Sequence, residues 1–182
     1  MKKVYLMLTK SSTGISIFIN LLTKARYTHS SCSLNSALDP VYSVGRHFTF
    51  LNWPAHVKVE PFDSGFYWWH RWAKVGIYSL EVSDEGHRRM QEFIDEQFEK
   101  KLKFAIMGLY YCGRNIKKEY DNKMFCSQFV ANVLKASGEI DILKDPALFH
   151  PVDFLKIKGI KEIYLGRIKD LAQYLKDNGT IE

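Results

Sequence analysis

The sequence predicts an α+β domain, with strands paired largely antiparallel and helices packed against them. Three observations predict it. Short apolar runs that read as strands alternate irregularly with stretches of about 3.6-residue apolar period that read as helices, and no internal repeat links them. The 182 residues are enough for one substantial core and too few for two ordinary ones, and no low-complexity linker divides them, so residues 1–182 are read as a single domain. The strongest helical stretch stands late in the chain with a cysteine, Cys126, at its mouth.

Taken in order, residues 4–8 (Val-Tyr-Leu-Met-Leu) form a buried strand. Thr13-Gly14 opens a helix reaching to about Ala25, with Ile15, Phe18, Ile19 and Leu22 on its apolar face. Residues 27–34 are small and β-branched and read as a strand. The turn formers Asn35-Ser36-Ala37-Leu38-Asp39-Pro40 follow, and residues 41–44 return as a second strand, giving a hairpin that carries His29 on one arm. Residues 48–72 are irregular and aromatic, with Pro54, Pro61 and Gly65 and all four tryptophans: Trp53, Trp68, Trp69 and Trp72. Residues 75–82 alternate as a strand. Ser83-Asp84-Glu85-Gly86 starts a helix carrying Met90, Phe93, Ile94 and Phe98 and ending near Lys101.

A second apolar stretch, 104–111, precedes the polar lead-in to Cys126. In the helix that follows, Cys126, Phe129, Val130, Val133 and Leu134 share one face. Residues 145–154 are a loop opening a short helical turn. Residues 162–168 read as the last strand and 169–176 as a terminal helix.

Composition narrows the function. The 46% hydrophobic and 25% charged residues are those of a globular protein. The net charge of +6 comes from Lys and Arg scattered among acids. That allows weak attraction to anionic surfaces and does not indicate a dedicated nucleic-acid binder. Three cysteines without regular spacing argue against a disulfide framework and fit a reducing compartment. Lys2-Lys3 and the apolar run after them resemble the opening of a signal peptide, but residues 9–14 interrupt the run too soon. Neither this run nor residues 15–22 approaches the roughly 20 residues that span a bilayer. The expectation is a cytoplasmic protein.

A thiol at a helix N-terminus sits over free backbone N–H groups and the positive end of the helix dipole, which favours thiolate. The same N–H groups suit an oxyanion during acyl transfer. The alternative is a cysteine used as a small buried hydrophobe. A nucleophilic cysteine needs a base and a third group to orient it. Of six histidines, His87 lies on a charged helix face and reads as solvated. His47, His56 and His70 fall in the aromatic region, where packing is as good an account as catalysis. His150, between Phe149 and Pro151, suits a turn cap. His29 is set apart by its strand and by the small residues Ser30-Ser31-Cys32-Ser33 after it, which let another element approach.

Tyr27-Thr28-His29-Ser30 on an early strand, with Phe125-Cys126-Ser127-Gln128-Phe129-Val130 opening a late helix, resembles the circularly permuted branch of the NlpC-type papain-fold amidases, the YiiX/YaeF-like enzymes. The order of His before Cys, the reverse of papain, is the mark of that permutation. The opening strand ending in Thr9-Lys10, Tyr42-Ser43-Val44-Gly45-Arg46 on the return strand and Pro151-Val152-Asp153-Phe154 after the cysteine helix extend the resemblance over much of the chain. It implies a papain-like central antiparallel sheet packed against helices. It also implies Cys126 as thiolate nucleophile, His29 as its base, the Cys126 N–H in an oxyanion hole, and no cofactor. The substrate class implied is a small peptide, cell-wall fragment or other acyl compound. Lecithin:retinol acyltransferase shares the wider fold group, which keeps acyl transfer as a neighbouring activity.

The chain departs from the family at the third position. Relatives commonly carry Glu, His or another strong polar residue on the strand after the histidine, where this chain reads Val41-Tyr42-Ser43-Val44. Ser43 is the nearest candidate, and Tyr42 takes its place if the hairpin register shifts by one. A hydroxyl cannot offset imidazolium charge, so a non-catalytic relic of the fold is the competing class. Residues 62–72 (Phe62 to Trp72) suit either a binding groove or a lid packed on the core. Cys32 and Cys112 read as structural. A metal site built from His29, Cys32 and Cys126 lacks any supporting spacing.

Overall fold

The computed structural model describes residues 1–10, 26–46, 55–62 and 64–181. The helix expected over 13–25, His47 and Trp53 lie outside the described residues. The chain is α+β. Its eight-stranded sheet has the order β7 (Lys123–Met124), β6 (Lys103–Phe104), β4 (Ala55–Val59), β3 (Tyr42–Arg46), β2 (His29–Ser33), β1 (Lys2–Lys10), β5 (Lys74–Val82), β8 (Lys161–Arg167), antiparallel except for the short pair β6 and β7.

At the centre, β1 (Lys2–Lys10) pairs with β2 (His29–Ser33) and with β5 (Lys74–Val82). Side chains alternate along a strand, so Val4, Leu6 and Leu8 enter one apolar cluster while Tyr5 and Met7 enter another on the opposite face. Burial on both faces is why residues 4–8 form an unbroken apolar run. β8 (Lys161–Arg167) closes one edge against β5. On the other side, β3 (Tyr42–Arg46) pairs with β2 and with β4 (Ala55–Val59).

Strand β4 corrects the reading of 48–72 as irregular throughout. Ala55-His56-Val57-Lys58-Val59 alternates, with Ala55 and Val57 buried, but Pro54 and Pro61 flank it and mask the signal. The aromatic region also contributes a short helix, α1 (Gly65–Trp69), whose Tyr67 is fully buried.

Helix α2 (Asp84–Glu99) begins where expected, with the Ser83 hydroxyl accepting from the Gly86 N–H at 2.9 Å. His87 is not merely solvated: its Nε2 lies 2.8 Å from the Leu34 carbonyl oxygen and ties the helix to the end of β2. Helix α3 (Ile106–Gly113) takes up the second apolar stretch, and α4 (Cys126–Ala136) starts at the cysteine. More than one face of α4 is buried. Ser127, Gln128 and Ala131 are enclosed along with the expected apolar positions, as befits a central helix packed on β2, β3 and α2. Two 3-10 turns, Pro146–Leu148 and Pro151–Lys156, follow, and α5 (Ile168–Asn178) ends the chain against the sheet face opposite α4. No helix among the described residues is long and apolar enough to cross a membrane.

Candidate active site

The fold brings together the two residues singled out by sequence. His29 opens β2 and Cys126 opens α4, and the imidazole and the thiol are close enough for each to shift the other's ionisation. No side chain caps α4, so its first backbone N–H groups keep their capacity for an anion. The backbone N–H groups of Ser127 and, across the gap to β2, of Ser30 act on the sulfur and lower the thiol pKa. Cys126 is only 5% exposed, so its ionisation is governed by these neighbours more than by water.

The third position is where the structure adds to the sequence reading. Ser43 does reach the imidazole, with its Oγ 3.3 Å from His29 Nε2. The same nitrogen lies 3.1 Å from Oε2 of Glu60, a carboxylate with 3% residue exposure that the sequence reading passed over. The carboxylate thought to be missing is therefore present, one strand further along than expected. Glu60 directly follows β4, and its backbone N–H donates to the Val41 carbonyl at 2.8 Å, which carries the β3–β4 pairing one step past the strand and aims the side chain inward. The signal available in the sequence was an acid between Val59 and Pro61, at the end of a strand that alternates. Tyr42 plays no part at the imidazole. It pairs with Cys32 in the β2–β3 register and packs edge-on against Phe98, on the other face from Ser43.

Further contacts hold Glu60 in place. Lys58 Nζ lies 3.0 Å from its Oε1, and the buried Tyr67 hydroxyl, bonded to Ser31 Oγ at 2.6 Å, stands close enough to Glu60 for the carboxylate to raise the phenol pKa. Phe66 packs its ring on the imidazole at a centroid distance of 4.7 Å and excludes water from it. Part of the aromatic segment is thus a cover on the site, while Trp68, Trp69 and Trp72 stay exposed.

Charge follows from geometry. Burial works to lower the His29 pKa, but the Glu60 carboxylate and the bonds to Cys126 and Glu60 outweigh it and raise the pKa well above the usual imidazole value. Burial works to raise Glu60, and the positive charges of His29 and Lys58 outweigh it and hold the carboxyl below its ordinary range. Burial also works to raise Cys126. The His29 bond and charge, with the N–H groups of Ser30 and Ser127, overcome it and the thiol pKa falls. Each shift acts in the direction of a thiolate–imidazolium pair backed by a carboxylate. Glu60 and Ser43 both engage Nε2, which leaves Nδ1 outside these two contacts.

Cys32 and Cys112 are both 1% exposed, and burial pushes each up to about 12. Cys32 lies three residues beyond His29 on the same strand and so points to the opposite face, away from His29. Among the described residues no group of three or more His, Cys, Asp or Glu side chains is placed to hold a metal ion. Neither a scan against protein-family models nor a search of curated proteins finds a match for this chain.

Proposed function

We propose that the protein is a cysteine hydrolase of the amidase or peptidase type, built on a permuted papain-like fold. The observation that carries the reading is the buried series Cys126–His29–Glu60, in which His29 Nε2 meets Glu60 Oε2 at 3.1 Å, the thiol pKa is lowered and the imidazole pKa is raised. Cys126 thiolate attacks an acyl carbonyl, and the developing oxyanion is held by the unused N–H groups at the start of α4. The His29 imidazolium gives its proton to the leaving amine or alcohol, then as neutral base takes one from the water that cleaves the thioester. Glu60 orients the ring and offsets its charge, and Ser43 adds a weaker bond at the same nitrogen. A missing carboxylate encouraged the competing class, a non-catalytic relic of the fold; the Glu60 carboxylate beside His29 supports the catalytic reading instead.

Acyl-enzyme trapping tests the proposal. Incubation with p-nitrophenyl acetate, acid quench and peptide mass mapping should place an acetyl group on Cys126 with a burst of nitrophenol, both absent in Cys126→Ala. Equal nitrophenol release by that variant, with no adduct at Cys126 in the parent, would overturn it. Added amines that take the acyl group in competition with water would identify a transferase.

A further inference from the structure

Away from the thiol, one end of the sheet carries a row of cations. Lys10 ends β1, Lys74 begins β5 and Arg167 ends β8, and the register sets Lys10 directly opposite Lys74 and Lys74 directly opposite Arg167. Direct partners on one face of a sheet have Cβ atoms only about 4.5–5.5 Å apart, where like charges repel. Arg26 brings a fourth positive charge to the same place, and together the four line a cavity of about 460 Å³ with Tyr27, Leu165 and Gly166. Among the described residues none of the four is in an ion pair.

The local structure keeps this cleft open and its cations presented. Gly76, next in line after Lys74 on the same face, has no Cβ, and one added there would stand 2.8 Å from the Tyr27 hydroxyl. The glycine lets Tyr27 lie across the strand, where its hydroxyl meets that of Tyr78 at 3.0 Å. Arg26 lies over the Tyr27 ring at 5.3 Å and Arg167 over the Trp72 ring at 5.7 Å. Stacking pre-orients a guanidinium while leaving its N–H fork free for an oxyanion. Along this pair of strands Glu162 stands opposite Tyr78, four residues down β5 from Lys74.

We propose that this cleft binds a phosphate-type oxyanion, carried by a small ligand or a lipid headgroup. The anion supplies the countercharge that the register otherwise lacks, and the cavity volume falls in the range of small-ligand sites. The cleft lies at the end of the sheet that also holds His29, since Thr9 pairs with His29 and Lys10 follows it. Lys74 is two strands from β2, about 10 Å at the usual strand spacing. The inference rests on charge, register and shape alone, so it is tested whether or not Cys126 proves reactive.

The experiment is calorimetric titration of the full chain with inorganic phosphate at constant ionic strength, chloride making up the balance. Beside it runs cosedimentation with phosphatidylglycerol–phosphatidylcholine vesicles. Lys74→Gln with Arg167→Gln is compared with the parent and with Lys118→Gln, an exposed lysine elsewhere. Phosphate binding weakened about 100-fold or more in the double variant and unchanged in Lys118→Gln supports the site and a soluble ligand. Vesicle binding alone, lost in the same variant, supports it with a headgroup as the source. Binding in neither arm, or binding that the double variant retains, overturns it. Because the altered side chains are exposed, both variants should fold, which circular dichroism checks.

Discussion

The molecule contains two buried thiols beside an imidazole, and they behave in opposite ways. Cys126 faces His29 and its pKa falls; Cys112 on α3 lies 3.8 Å from His150 Nε2 and is pushed up to about 12. Burial alone does not separate them, since both sulfurs are enclosed. The carboxylate does. Glu60 is aimed at the His29 ring. Asp153, the acid nearest His150, spends one oxygen on the His150 backbone N–H at 2.8 Å and on Lys144 at 2.7 Å. With burial and Lys144 both acting against protonation, the His150 pKa drops below its usual value, and Cys112 gains no imidazolium; Lys144 pulls the thiol down, but burial outweighs it, with Asp153 adding to the rise. A cysteine beside a histidine is therefore not an activated thiol by itself; the charge behind the histidine decides whether the imidazole can lower the thiol pKa.

That difference can be broken from either side. The largest effect is expected from His29→Ala, which should lower acyl turnover by several orders of magnitude and return the Cys126 pKa toward that of an ordinary thiol, read by esterase kinetics and alkylation. Glu60→Gln comes next. It keeps the shape of the orienting group and removes its charge, so the Cys126 alkylation rate near pH 6.5 should fall about 10²-fold. The same change removes the buried negative charge that faces both His29 and Lys58, and chemical denaturation should show a loss of about 3–5 kcal/mol.

Glu60 also sets a pH dependence. Its folded pKa is depressed, so its contribution to stability is complete above the unfolded carboxyl value. That contribution is lost as pH falls toward about 2, a loss that Glu60→Gln should abolish. Ser43→Ala should cost no more than about tenfold in turnover, the size of one neutral hydrogen bond. Smallest of all, His150→Ala should leave the alkylation of Cys112 as slow as before, because that ring supplies no charge.

Much of this was legible in the chain. The apolar period from Cys126 to Leu134, the small residues around His29 and the cap at Ser83 are local signals, and each produced the element expected. Strand β4 was hidden because prolines flank it, and Glu60 was hidden with it. Its role depends on β4 folding back beside β3 to bring residue 60 near residue 29. His87 was misjudged for a related reason: the acceptor that takes it out of solvent, the Leu34 carbonyl, is distant in sequence. Local patterns are visible residue by residue, whereas pairings between remote strands follow from register, which one sequence specifies only weakly.

The most direct test of the central claim is the pH dependence of iodoacetamide alkylation at Cys126. It is measured in a Cys32→Ser, Cys112→Ser background, alone and with His29→Ala or Glu60→Gln. The account predicts a reaction pKa well below the ~8.5 of a free thiol, rising part of the way with Glu60→Gln and back to an ordinary value with His29→Ala. A pKa near 8.5 or above that is indifferent to both substitutions would contradict it.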